Sequence, residues 1–452
     1  MTNVEVLNPA TGLVIGSVAD MSVDTALEFL GAATIAGSAW AETAPRTKAT
    51  LLYAIFEAVA ARTEEIAQIM HEESGKTLEE ARGEVAYGNE YFRWFAEEAT
   101  RIPGRVNQAP AGTGTIVVTR TPVGPVLAIT PWNFPLAMAT RKIAPALAAG
   151  CPILVKPARE TPFTMLKLEE IIHEVMRAQG INTDLFRVIT SRSSAAISEA
   201  LMNDPRLRKV TFTGSTAVGK KLVAQSVPGL LRMSMELGGN APFVIAADAD
   251  LDVVLPQAMA AKMRNWGQAC IAANRFIVEK PIAEAFTQRL LEEFHALEPR
   301  PLITDKQRAQ VHELVHDAVE RGATLLTGGE IPEGPGYFYP ATILTDIPAD
   351  ARILREEIFG PVAPIITTNS LDEAINLAND TEFGLASYGF STNHNTCQRF
   401  ARELKAGMVG INRGAISDPA APFGGILQSG FGREGGTEGI EEYLDTKYIA
   451  LT

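Results

Sequence analysis

Between residues 123 and 245, short apolar runs alternate with helical patterns, and this alternation limits the available folds more than any other feature. The pairs are VLAIT then PLAMATRKIAPALAAG, CPILVKPA then TPFTMLKLEEIIHEVMRAQG, LFRVIT then SAAISEALMND, and KVTFTGS then TAVGKKLVAQS. A parallel neighbour needs a crossover long enough to hold a helix, so this order specifies a mainly parallel sheet with helices on both faces. The pattern resumes after residue 235 with APFVIA, a helix over 255–264, RFIVEK and a helix over 282–295. No internal repeat or low-complexity linker separates the two stretches, so two α/β layers joined without a flexible tether are expected. Upstream, Leu51, Leu52, Ile55, Phe56 and Val59 recur at helical spacing, as do Ile66, Ile69 and Met70, and residues 47–100 read as helix. TIVVTRTPVGPVLAIT reads as strand, turn, strand around Pro122, Gly124 and Pro125. EEYLDTKYIALT reads as an extended segment that pairs with another strand, in this chain or in a neighbouring subunit.

At 452 residues the chain exceeds one small core, and its 46% hydrophobic and 21% charged residues exclude a disordered protein. A net charge of −13 argues against nucleic acid as a partner, since phosphate-binding surfaces are basic. Three cysteines, Cys151, Cys270 and Cys397, are too few for a disulfide framework and imply reduced thiols, hence the cytoplasm. MTNVEVLNPATG carries no signal-peptide pattern. The most apolar stretch, Val123 to Val155, is broken by prolines and carries Arg141 and Lys142, so no membrane association is expected. No metal site is expected: beyond His312 and His316, read as an exposed helix face, the histidines form no ligand cluster.

GSTAVGKK (214–221) superficially matches the phosphate loop of nucleoside triphosphatases, but Lys221 stands where that motif needs Ser or Thr to reach magnesium. GTGT at 112–115 does not open a helix after a strand and fails the dinucleotide fingerprint. TFTGS does run from a strand into a helix, whose free N–H groups would seat a pyrophosphate. The same residues also suit an ordinary helix cap by Ser215 or Thr216, and pattern alone does not separate the two.

PWNFP (131–135), LVKPA (154–158), MELGGNAP (235–242), GQACIAANRF (267–276), EEIFGPV (356–362), PFGG (422–425) and SGFGRE (429–434) occur in this order. The set resembles the aldehyde dehydrogenase superfamily from NPATG (8–12) to the end of the chain, and within it the succinate-semialdehyde dehydrogenases. The resemblance implies an α/β protein in three parts. These are a Rossmann-like cofactor domain (1–106 and 124–235), a second α/β catalytic domain (236–420) and a small β oligomerisation flap (107–123 and 433–452). It also implies a homodimer or homotetramer.

It further implies an enzyme that oxidises an aldehyde to a carboxylic acid through a cysteine thioester. A lone cysteine is more often buried and inert, but GQAC in this context makes Cys270 the nucleophile. The resemblance assigns the oxyanion to the side-chain amide of Asn133 and the N–H of Cys270, and thioester hydrolysis to Glu236 as general base. For the cofactor it implies Lys156 at the adenosine ribose, Gly214 and Ser215 at the pyrophosphate, and Glu357 at the nicotinamide ribose. Phe359 and Trp132 fall beside the nicotinamide ring. Arg159 stands where NAD-preferring relatives often carry a glutamate. A guanidinium favours the extra phosphate, so NADP is expected, with NAD tolerated.

Arg141 and Arg264 fall where succinate-semialdehyde dehydrogenases bind the substrate carboxylate, and Ser417 matches a third contact. The expected small-molecule substrate is succinate semialdehyde. Glutarate semialdehyde, another ω-carboxy aldehyde or a neutral aldehyde are alternatives, and a non-catalytic protein on the same fold is a more distant one. Ala272 stands where some relatives carry a second cysteine, so no redox switch is expected at the nucleophile. Leu427 and Arg413 depart from the usual pattern and bear on chain length.

Overall fold

The computed structural model describes residues 3–452; the first two residues of the N-terminal stretch read for targeting lie outside it. One sheet has the strand order Gly430–Phe431, Arg232–Glu236, Lys209–Thr213, Val126–Ile129, Ile153–Lys156, Phe186–Val188. Its neighbours run parallel except Gly430–Phe431, which lies antiparallel at the edge. The middle strands are buried almost end to end, which explains why they read as continuous apolar runs and not as alternating ones.

A second sheet has seven strands in the order Thr324–Thr327, Thr342–Thr345, Val362–Thr368, Ala273–Glu279, Ala241–Ile245, Ala386–Phe390, Met408–Ile411. Only the Thr324–Thr327 edge is antiparallel. A third sheet joins Arg105–Gln108, Thr115–Pro122 and Leu444–Leu451, all antiparallel. The final strand thus finds its partner within the chain, Leu444 opposite Pro122 and Leu451 opposite Thr115. Val106 (70% exposed) and Tyr448 (63%) leave this small sheet with an uncovered apolar surface.

The helical stretch over 47–100 divides into Pro45–Ala61, Thr63–Ser74 and Leu78–Glu98. Gly75, at φ 75°, ends the second helix, and Thr77 with Glu80 forms a capping box that starts the third. Leu51, Leu52, Ile55, Val59, Ile66 and Met70 face the core as their spacing requires. Helix Ala137–Ala149 is buried on every side, including Arg141 and Lys142.

The sheets meet end on. Residues at the carboxyl ends of the first sheet (Trp132, Asn133, Thr213, Gly214, Leu237) and residues just before strands of the second (Gly238, Cys270, Phe359, Phe383) line one cleft. Ligand sites of open α/β sheets lie at such carboxyl ends.

Leu52 is fully buried and its neighbour Tyr53 is 38% exposed. Leu52→Ala should cost about 2–5 kcal/mol by leaving a cavity, whereas Tyr53→Ala should stay within about 0.5 kcal/mol. Thermal midpoints of the two variants, with kcat/KM unchanged in both, would check the helix face.

Candidate active site

The segment that delivers Cys270 is strained. Asn265, Trp266 and Gly267 follow one another at φ 51°, 57° and 76°. A left-handed residue other than glycine costs about 1–3 kcal/mol and persists only where its surroundings enforce it. Here the Asn265 N–H donates to Glu80 Oε1 at 3.0 Å, Asn265 Nδ2 donates to the Asn133 carbonyl at 2.9 Å, and Trp266 Nε1 donates to the Tyr339 carbonyl at 2.9 Å. Gln268 Oε1 accepts the Ile303 N–H at 3.0 Å. Gly267 is required by space as well as by φ, since a Cβ there would lie 2.2 Å from the Gly360 carbonyl oxygen.

Asn133 follows strand Val126–Ile129 in the PWNFP turn and is buried. Its Nδ2 donates to the Gln268 carbonyl at 3.0 Å, which leaves its second amide hydrogen for a ligand. Its carbonyl accepts from Lys76 Nζ at 2.9 Å as well as from Asn265. Lys76 is itself paired with Glu84 at 2.5 Å, both side chains 1% exposed. Glu84 Oε1 accepts the N–H groups of Leu136 and Ala137 at 2.9 and 3.2 Å, at the start of helix Ala137–Ala149. The turn is held by a buried ion pair in addition to its prolines, and nothing local in the sequence pointed to Lys76 or Glu84.

Glu236 ends strand Arg232–Glu236, and neither carboxylate oxygen has a hydrogen-bond partner. Burial, then the neighbouring Glu434 carboxylate, holds its pKa well above the usual carboxylate range. Glu434 is buried too and ion-pairs with both Arg141 and Lys142; Lys142 Nζ also donates to Thr213 Oγ1 at 2.6 Å. Burial lowers the Lys142 pKa. Glu434 closes the SGFGRE motif, and the motif alone gives it no role. A stronger signal was the adjacent Arg141 and Lys142 in an otherwise apolar helix, which demands a buried counter-charge. Burial likewise pushes the Cys270 thiol up to about 12, so it would act as a thiolate only with a base to take its proton.

Trp132, Asn133, Gly214, Ser215, Cys270, Glu357 and Phe359 all line the cleft, a space of about 510 Å3. The Trp132 and Phe359 rings meet edge to face at 5.4 Å. Ser215 precedes helix Thr216–Ser226 without a side-chain cap, and Thr216 Oγ1 bonds the Gln428 carbonyl at 3.1 Å instead. The helix N-terminus is therefore open to an anion, which favours the pyrophosphate reading over the cap. Glu357 Oε1 accepts the Gly239 N–H at 3.1 Å, and a Cβ on Gly238 would lie 2.8 Å from Glu357 Oε2. Burial pushes the Glu357 pKa up to about 7. An open helix end, a buried acid and paired aromatic rings in one elongated cleft fit a nicotinamide dinucleotide.

Other expected residues lie off this wall. Lys156 is buried, donates to the Pro157 carbonyl at 3.2 Å, and is pushed down to about 8 by burial. Arg159 is 68% exposed, pairs with Glu160 at 2.8 Å, and lines a separate groove with Arg192 and Tyr337. Arg141 lies behind the cleft, its Nη1 and Nη2 without hydrogen-bond partners and its guanidinium 4.3 Å from the Phe423 ring centre. Arg264 sits over the rings of Tyr87 and Phe134 at 5.4 and 4.9 Å. Ser417 is half-buried in the loop after strand Met408–Ile411. Cys151 is fully buried, whereas Cys397 is half-buried and lines a surface cavity.

The pattern of the aldehyde dehydrogenase family matches residues 1–449. A succinate-semialdehyde dehydrogenase of Paenarthrobacter nicotinovorans is 50% identical over 97% of this chain and 98% of its own length. A glutarate-semialdehyde dehydrogenase of Pseudomonas putida is 42% identical over 99% of this chain and 94% of its own. The crystal structure of an NADP-dependent enzyme of Escherichia coli superposes with a TM-score of 0.97 at 41% identity, covering 100% of this chain and 95% of that one. The chain belongs to the aldehyde dehydrogenase family and has its fold. It is an NAD(P)-dependent aldehyde dehydrogenase.

Removing Lys76 leaves Glu84 charged and buried. Lys76→Met should therefore destabilise by about 3–5 kcal/mol. Calorimetry would show this as a lower thermal midpoint, and the freed Asn133 turn should lower kcat as well. Gly267→Ala should cut kcat/KM by at least about 100-fold if Cys270, three residues on, is the nucleophile, because its displacement would cost alignment.

Proposed function

We propose that this enzyme oxidises an ω-carboxy aldehyde, succinate semialdehyde first among them, with NADP preferred over NAD. Arg141 carries the substrate reading. It is buried, and two of its nitrogens have no hydrogen-bond partner. Unbonded donors in the interior are costly, and a carboxylate would take both through parallel bonds. Arg264 and Ser417 complete the proposed anchor, and Arg413 in the Ser417 loop is a candidate for tuning chain length.

In the proposed reaction Cys270 adds to the aldehyde carbon while Glu236 takes the thiol proton. The oxyanion accepts the free N–H of Asn133 and the backbone N–H of Cys270. Trp132, Phe359, Glu357, Gly214 and Ser215 would hold the dinucleotide, with Lys156 at its adenosine end. The chemistry it supplies is acceptance of the hydride. Glu236 then gives up the thiol proton to solvent and is a carboxylate again; water attacks the thioester, Glu236 takes a proton from that water, the C–S bond breaks with the thiolate as leaving group, and the acid leaves. Cys270→Ser should retain less than about a thousandth of kcat, since a serine hydroxyl is far less acidic than a thiol. A serine enzyme that produces NADPH at the parental rate would remove the thioester from the scheme.

Glu357 must be ionised to accept two ribose hydroxyls. With its pKa near 7, KM for the cofactor should be flat above that pH and rise as pH falls through it, because the neutral acid is a poorer acceptor. Glu357→Gln should raise KM and abolish this pH dependence.

Arg159 supports NADP: its exposed pair with Glu160 is worth about 0–1 kcal/mol, less than a charge-assisted bond to phosphate. The similarity to the E. coli NADP-dependent enzyme points the same way. Arg159→Ala should lower the NADP-to-NAD ratio of kcat/KM, and an unchanged ratio would overturn this reading. The same assay over succinate semialdehyde, glutarate semialdehyde and butanal would rank the substrates. We also infer a homodimer or homotetramer that covers the apolar three-stranded sheet. Free Cys151, Cys270 and Cys397 support a cytoplasmic setting, and among the described residues no helix is long and apolar enough to cross a membrane.

A further inference from the structure

Two tyrosines on helix Leu78–Glu98 stand beside the proposed anchor. Tyr87 and Tyr91 are one helical turn apart, their rings meet edge to face at 5.4 Å, and their hydroxyl oxygens are 2.6 Å apart. Tyr91 is fully buried; Tyr87 is half-buried and packs against Phe134, Ala137, Met138, Ala269 and Ala272. Ala269 and Ala272 flank Cys270 in sequence, so this wall includes the loop that carries the thiol. The Arg264 guanidinium lies 5.4 Å from the Tyr87 ring centre, and the charge of Arg141 acts on both tyrosines. Tyr87 therefore has one arginine on its ring face and the other within electrostatic reach.

Phenylalanine would serve the apolar wall equally well, so the hydroxyls need a reason. Burying a hydroxyl without a partner costs free energy. Two phenols that share one hydrogen bond use one of their two hydrogens. If Tyr91, the deeper one, donates to Tyr87, then the Tyr87 hydrogen remains, and that hydroxyl becomes a stronger donor through the bond it accepts.

We propose that Tyr87 is a specificity-determining residue, its O–H donated to the distal acid group of the substrate between Arg141 and Arg264, with Tyr91 as the positioning residue behind it. The inference rests on the ω-carboxy reading above. It adds a neutral donor to the two cations and directs that donor through a second side chain that touches no substrate.

The test is a set of kinetic measurements on the intact enzyme with succinate semialdehyde and with butanal, which has the same number of carbons and no acid group. Tyr87→Phe should raise KM for succinate semialdehyde about tenfold, as expected for loss of a hydrogen bond to a charged group. KM for butanal and kcat for both substrates should stay within about twofold, since that contact is absent from one substrate and remote from the reacting carbon in the other. Tyr91→Phe should raise KM for the acid substrate by a smaller factor, and the double variant should match Tyr87→Phe, because residues acting in series are not additive. Thermal midpoints near the parental value would confirm that both variants fold. If Tyr87→Phe changes both KM values alike, or neither, the tyrosine inference fails while a wild-type preference for the acid substrate leaves the ω-carboxy reading intact. A wild-type enzyme that does not prefer the acid substrate overturns both.

Discussion

Glu434 holds together charges that would otherwise have no place in the interior. It reaches the active site from the last part of the chain and is fixed there by a pair of 2.8 Å backbone hydrogen bonds with Phe423. Its carboxylate pairs with Arg141 and Lys142, and both cations lie on a helix with no exposed face. Moving an ion out of water costs several kcal/mol even after relaxation, so neither cation is tolerable there without a partner. If Glu434 were absent, Glu236 would be the nearest anion able to take its place. A Glu236 locked in an ion pair would be a weak base. By occupying the cations, Glu434 leaves the Glu236 oxygens unpartnered and its proton affinity high.

Cys270, the proposed nucleophile, is placed by similar means. The left-handed run Asn265–Gly267 stores backbone strain, and the contacts that enforce it converge on Asn133, Glu80, Tyr339 and Ile303. Asn133 is held in turn by Lys76, whose charge is balanced by Glu84. The proposed oxyanion donor and the nucleophile therefore share one hydrogen-bonded frame through Asn265 and Gln268. Stability surrendered in the turn is recovered in the frame, a trade that recurs where geometry matters more than local preference.

Much of this architecture was legible in the chain. Buried parallel strands announce themselves as runs such as ILVK and APFVI, and the helices between them show in the spacing of Leu51, Leu52 and Ile55. The N-terminal portion was not legible: neither the hairpin Asn3–Leu7 with Val14–Ala19 nor helix Val23–Ala41 shows a clear sequence signal. That helix is rich in alanine and glycine and its apolar residues spread around it, so its periodicity is weak; what commits it is tertiary packing, including Trp40 Nε1 donating to the Leu147 carbonyl at 2.9 Å. At the site, Trp132, Asn133, Cys270, Glu357 and Phe359, all inside dense motifs, line one cleft, whereas Lys156 of LVKPA lies off its wall. Lys76, Glu84, Tyr91, Lys142 and Glu434 were missed as parts of the site because each acts through a partner distant in sequence, and a local pattern does not encode a pairing. Arg159 illustrates the converse: its chemistry suggests a phosphate, and the sequence did not show that the side chain sits on an exposed loop beside Glu160.

The end-on meeting of the two sheets has a mechanical consequence. Asn133 and Glu236 ride on one sheet and Cys270 on the other, with Gly267 and Gly360 in near backbone contact on the second side. Because Asn133 bonds to both Asn265 and Gln268 across that junction, Cys270 cannot shift relative to the first sheet without breaking those bonds. The sulfur and its proposed proton acceptor are thereby kept in register by the protein itself, before any ligand arrives.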